Sequence, residues 1–195
     1  FPTRRSSDLA VDLEAQAVHM KRSLSAEELE EKLGKDVVSG GIPVFCNDVT
    51  KPEDYVYLGN TSRGVPLFVL RRVAEADLKI TISTTQATLW GYGGSGMIIP
   101  AVAGDETIEL NHMFSLPQDC RPGNNLCHMQ EDKYEAARMV GIDMGIHVIV
   151  SNRFDVTYLG AGDFVEAHKA AIRAYDKVYR FDAAEFVGAA ADIVV

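Results

Sequence analysis

A chain of 195 residues, 47% hydrophobic and 24% charged, has enough apolar material for the core of one globular domain, or most of one, which excludes a disordered chain. Its formal net charge of -9, with Lys and Arg scattered, offers no basic face to track a phosphate backbone, so nucleic acid is not an expected partner. No apolar run reaches the roughly 18 to 20 residues of a membrane span, and Cys46, Cys120 and Cys127 form no CxxC pair, so neither a membrane span nor a disulfide or zinc scaffold is expected and a reducing cytoplasm is the default setting.

Residues 1–9, FPTRRSSDL, show no period and resemble the conceptual translation of a sequencing adapter. They are set aside as an artefact, which leaves 10–195 as a partial domain. SAEELEEKLG at 25–34 has a Ser N-cap, acids in the first turn, Leu29 and Leu33 four apart and a closing Gly34, and so predicts a short helix. β-branched and aromatic content predicts strands at 42–46, 54–59, 66–72 and 78–83. Helices follow at about 105–113, 128–140 and 163–179, with strands at 146–151, 155–162 and in the terminal DIVV. This alternation predicts an α/β layered domain with a mostly parallel sheet flanked by helices. The terminal run stops at Val195 with no turn or cap after it, so both ends are expected to be cut. Residues 115–127 form the one long irregular loop, and such loops are often functional.

The stretch GYGGSGMIIPAVAGDETIELNH at 91–112 carries the strongest local signal. Glycines at this density mark backbone that approaches something closely or turns tightly, so the partner is either a ligand or the protein itself. Trp90 and Tyr92 flank the cluster and either line a pocket or pack in the core. His128 opens a helix and reads as a cap or as part of a cleft. His147 lies in an apolar strand and reads as a satisfied core histidine, whereas His168, on an Ala-rich helix, reads as solvated. NTS at 60–62 matches a glycosylation sequon, which is idle in a cytoplasmic protein.

Four runs, GVPLFVLRRVAEADLKI, GYGGSGMIIPAVAGDETIELNH, CHMQEDKYEAARMVGIDMGIHVIV and LGAGDFVEAHKAAI, in this order and spacing, resemble the nickel-dependent lactate racemase family from about residue 17 to 195. The resemblance implies the second part of that family's N-terminal α/β domain, without the C-terminal domain of the same chain. It implies a racemase or epimerase of a small 2-hydroxy acid, in which a nickel pincer nucleotide in the interdomain cleft takes a hydride from Cα and returns it to the opposite face. By the resemblance His112 is the protein ligand to nickel, for which a neutral imidazole is a suitable donor. Gly93, Gly94, Ser95 and Gly96, opening onto a helical segment, are then an anion-binding nest for the cofactor phosphate or the substrate carboxylate. Glu109, three residues before His112, either orients the imidazole or is a solvated acid.

The departures from the family are as informative. Gly96 stands where the family has a tethering lysine, so the cofactor is expected to bind non-covalently. Gln86 and Lys21 stand at the two catalytic histidine positions, with His19 in place of Lys21 if the alignment shifts by one or two residues. Gln86 hydrogen-bonds a hydroxyl or carboxylate but is no base at neutral pH. Lys21 acts as a base only if burial or a nearby cation lowers its pKa, and Lys21 with Arg22 otherwise reads as an exposed basic pair. Two other readings stay open: a relative that dehydrates or oxidises 2-hydroxy acids, and a catalytically silent domain that binds a carboxylate or nucleotide.

Overall fold

The computed structural model describes residues 24–40, 43–153 and 155–180. Lys21, His19, the adapter-like segment and the terminal DIVV run all lie outside the described residues.

The first element obeys its local sequence. Helix α1 (Ala26–Leu33) begins at Ser25, whose hydroxyl accepts from the Glu28 N–H while the Glu28 carboxylate accepts from the Ser25 N–H, a reciprocal capping box. Gly34, at φ +85°, ends it, and a short α2 (Lys35–Ser39) follows. No strand spans the described part of 42–46, where only Phe45 makes an isolated bridge. Phe45 is instead a surface ring covered by the Arg72 guanidinium, 3.4 Å from its centroid. Asn47, two residues on, turns inward, where Nδ2 donates to the Ala103 carbonyl at 2.9 Å.

Strands β1 (Tyr55–Asn60) and β2 (Pro66–Leu70) form an antiparallel hairpin. The strand expected to run to residue 72 ends at Leu70, because Arg71 opens the short helix α3 (Arg71–Ala74). Strand β3 (Ile80–Thr84) then leads into a small hairpin of β4 (Ala87–Thr88) and β5 (Gly91–Tyr92). Helices α4 (Asp105–Met113) and α5 (His128–Val140) precede β6 (Met144–Val150), β7 (Val156–Gly162) and α6 (Phe164–Tyr179).

The expectation of a mostly parallel sheet does not hold. Among the described residues only β3 and β6 pair in parallel, while β1 with β2, β4 with β5 and β6 with β7 are antiparallel. The reason is connection length. The stretch between β6 and β7 is a short turn, which permits only a hairpin, whereas the path from Thr84 to Met144 carries α4 and α5 and permits a parallel return.

The apolar run that follows the glycines is the centre of the core. Met97, Ile98, Ile99, Val102 and Ala103 are all buried, packed with Leu67 and Val69 from β2, Ala136, Ala137 and Val140 from α5, and Phe164 and Val165 from α6. The 3-stranded sheet presents Thr81, Ser83, His147 and Ile149 to the interior and α6, and leaves Ile82 and Leu159 outward at 65% and 63% exposure.

Candidate functional site

The glycine cluster meets the protein itself. At Gly91 and Gly94 the backbone takes φ of +94° and +104°, which only glycine adopts readily. A Cβ at Gly91 would lie 2.6 Å from the Asn124 carbonyl oxygen, and one at Gly94 would lie 2.9 Å from Cδ2 of His168. The Gly93 N–H donates to the Gln86 carbonyl at 2.8 Å, which closes the β4–β5 hairpin and brings Gln86 beside the Gly93–Gly96 turn. That N–H is therefore held within the hairpin. The turn continues through Ala101 in irregular turns, and the first helix after it is α4, at Asp105.

Beneath the turn lies a buried polar layer that sequence reasoning missed. Gln130 of α5 donates from Nε2 to the Trp90 carbonyl at 2.7 Å and accepts from the Ser95 hydroxyl, pinning both sides of the glycine stretch to α5. His168 is fully buried, not solvated as its Ala-rich helix suggested. Its Nε2–H donates to the Gly93 carbonyl at 2.7 Å, so Nδ1 is the acceptor for the Tyr134 hydroxyl, also at 2.7 Å. His147 stacks on His168 with centroids 4.9 Å apart and meets the Ser83 hydroxyl through Nδ1 at 3.0 Å; it is a core histidine as read from the sequence, but only half satisfied, because its buried Nε2 has no hydrogen-bond partner among the described residues. Burial, then the neighbouring His147, depresses His168 to about 3, and burial depresses His147 to about 4. Both rings are neutral at physiological pH. A signal for His168 existed: Phe164, His168 and Ile172 fall four apart on the apolar stripe of α6.

Asn111 and His112, adjacent in sequence, face different ways on α4. Asn111 is fully buried and donates from Nδ2 to the Asp132 carboxylate at 2.8 Å, tying α4 to α5. His112 is half-buried at the end of α4, edge-on to Trp90 with centroids 5.3 Å apart. Its Nδ1 lies 2.7 Å from the Ile108 carbonyl oxygen. A carbonyl only accepts, so Nδ1 carries a proton, and in the neutral ring the lone pair is then on Nε2. The orienting group for Nδ1 is this backbone carbonyl, while Glu109, considered for that role, is exposed. The hairpin links Gln86, the glycine turn and His112 in series: Gln86 meets Gly93 at its open end, and Trp90 in its turn meets His112. His128 is exposed at the first position of α5, where Cys127 occupies the N-cap.

On the far side of the glycine turn the Tyr92 hydroxyl donates to Asp176, and burial, then the Asp176 carboxylate, pushes the phenol up to about 12. Among the described residues no group of three or more His, Cys, Asp or Glu side chains is placed to hold a metal by itself, and no helix is long and apolar enough to cross a membrane.

The sequence of residues 7–121 matches the lactate racemase N-terminal domain family. The chain belongs to that family. A structure of the lactate racemase apoprotein from Thermoanaerobacterium thermosaccharolyticum superposes with a TM-score of 0.75 at 22% identity, covering 78% of this chain and 38% of that one. The crystal structure of a Thermotoga maritima protein gives a TM-score of 0.66 at 19% identity, covering 80% of this chain and 44% of that one. At these identities the likeness is one of fold, and this lactate racemase N-terminal domain chain spans less than half the length of either. None of the curated proteins matches it.

Proposed function

We propose that this lactate racemase N-terminal domain chain supplies one wall of the active cleft of a 2-hydroxy acid racemase or epimerase, with His112 as its donor to a cofactor-borne nickel ion. The observation that carries the reading is the Nδ1–H bond from His112 to the Ile108 carbonyl. It fixes the tautomer whose Nε2 lone pair suits Ni(II), as a backbone or carboxylate partner commonly does for a metal-ligating histidine. A nickel pincer nucleotide, when bound, supplies the hydride-accepting centre of the reaction.

The chain's own groups have more limited tasks. Trp90, edge-on to the imidazole, holds its plane and excludes water from one side. Gln86, exposed at the mouth of the hairpin, donates a hydrogen bond to a hydroxyl or carboxylate of the substrate but takes no proton. Because the Gly93 N–H is held by Gln86, any anion-binding role falls to the backbone of Gly94, Ser95 and Gly96. With no side-chain amine at Gly96 the cofactor is held without a covalent bond there. Lys21 remains the proposed second polar group of the reaction. Gln86 at a proton-transfer position also supports a second reading, a relative that dehydrates or oxidises 2-hydroxy acids.

The test uses the full-length protein produced together with the cofactor-making enzymes. His112→Ala is expected to abolish nickel retention with an unchanged unfolding midpoint, because the ring lies at a helix end outside the main core. Unchanged nickel stoichiometry refutes the assignment. Product analysis of the loaded protein then separates racemisation from elimination or oxidation.

A further inference from the structure

Cys120, Cys127 and Met129 form a small apolar cluster of their own, apart from the main core, with Trp90 and Phe114 packed against it. Buried cysteines usually act as inert small hydrophobes. Here the arrangement is more specific. Cys120 and Cys127 share this one buried cluster, and Cys120 Sγ lies 3.7 Å from Met129 Sδ. The two cysteines stand at the ends of a segment that folds back on itself: Asn124 Nδ2 donates to the Asp119 carbonyl at 2.7 Å, and the Leu126 N–H donates to Asn124 Oδ1 at 3.0 Å. Cys127 is fixed as the N-cap residue of α5, and the buried amine of Lys133 on the same helix lies in the field of both thiols.

We infer that Cys120 and Cys127 are a redox-active pair that closes a reversible disulfide across the 120–127 segment when a hydroperoxide reaches it. Cys120, with 8% of its surface exposed against 0% for Cys127, is the first to react. Its thiolate attacks the outer peroxide oxygen and the O–O bond breaks, leaving a sulfenic acid on Cys120 and releasing an alcohol, or water from hydrogen peroxide. Cys127 Sγ then attacks the Cys120 sulfur, the S–S bond forms and water leaves. Two thiols lose two electrons and two protons in total, and the peroxide gains them. Burial holds the Cys120 thiol up at about 11, so little thiolate forms at neutral pH and the pair rests reduced until a peroxide reaches Cys120. Trp90, the one tryptophan of the chain, touches this cluster on one side and the His112 ring on the other.

The experiment treats the reduced chain with one equivalent of hydrogen peroxide, then unfolds it in an alkylating agent for intact-mass measurement and peptide mapping. The expected product has lost two hydrogens, links Cys120 to Cys127, leaves Cys46 alkylated and returns to the starting mass with dithiothreitol. Trp90 emission changes on oxidation and recovers on reduction. In Cys127→Ser no such intramolecular link forms and oxidation stops on Cys120 as the sulfenic acid, one oxygen heavier. Recovery of Cys120 and Cys127 as free thiols while Cys46 is oxidised, or a crosslink through Cys46, overturns the inference.

Discussion

Replacing Gly94 by alanine tests whether the glycine turn is shaped by the protein or by a ligand. The added Cβ must sit at φ +104°, 2.9 Å from Cδ2 and 3.0 Å from Nε2 of His168, and 3.0 Å from the Thr85 hydroxyl oxygen. The backbone conformation alone costs an L-residue about 1–2 kcal/mol. His168 has no room to yield cheaply, because moving it breaks the Nε2–H bond to the Gly93 carbonyl and the Nδ1 bond from Tyr134. Leaving one of those buried groups unpaired adds about 1–3 kcal/mol. The sum, about 2–5 kcal/mol, is a large share of the roughly 5–15 kcal/mol that holds a domain folded. Gly96→Ala is the control. Gly96 is outside the positive-φ set, and its nearest contact is Pro100 Cδ at 3.4 Å, so its cost is expected to stay below about 1 kcal/mol. Urea unfolding of the two variants gives the comparison. Equal midpoints for Gly94→Ala and the parent chain refute the account of the glycines as clearance for His168.

Two further outcomes follow from the same interior and from the sheet surface. The folded-state values of about 3 for His168 and about 4 for His147 lie below the unfolded value of 6.5, so the unfolded chain binds more protons as pH falls. The stabilisation is complete above pH 6.5 and is lost as the medium is acidified toward pH 4, by up to about 1.4 kcal/mol per pH unit for each ring; urea midpoints that stay level from pH 7 to pH 4.5 contradict it. The outward face of the 3-stranded sheet leaves Ile82, Leu159 and Val156 each at least 60% exposed, so the chain as given is expected to associate with rising concentration, and Ile82→Lys with Leu159→Lys to abolish this without moving the unfolding midpoint. Sedimentation showing a monodisperse monomer for the parent chain removes that expectation.

Elements governed by their own residues were legible in the sequence. Helices α4 and α5 were read at their observed bounds, and the Ser25 cap and closing Gly34 of α1 are local devices whose geometry involves only a few neighbours. What depended on distant partners was not legible. Strand pairing direction turned on the β6–β7 hairpin, and the cover over Phe45 comes from Arg72 of α3, distant in sequence. The β4–β5 hairpin is two residues a side, too short for periodicity, and is held by Gln130 from 40 residues away. For the candidate site, the sequence marked out Lys21, which lies outside the described residues, and Gln86, Gly93–Gly96 and His112, of which Gln86 meets Gly93 and His112 meets the same hairpin through Trp90; it held no sign that a backbone carbonyl orients His112 or that a polar layer of His168, Tyr134 and Gln130 underlies the turn.

The parallel pairing of β3 with β6 has a consequence for how the domain is made. Ile80 lies opposite Met144, and everything between them has to be looped out before that ladder zips. The hairpin, the glycine turn, α4, the sulfur cluster and all of α5 are inside that loop. Closure at such sequence separation is slow and comes late, after local helices and hairpins have begun to form. Helix α6 packs on β6, so closing this ladder carries His168 toward Gly94, and hydrogen-exchange protection of the Gly91–Tyr92 amides and of β6 is expected to rise together.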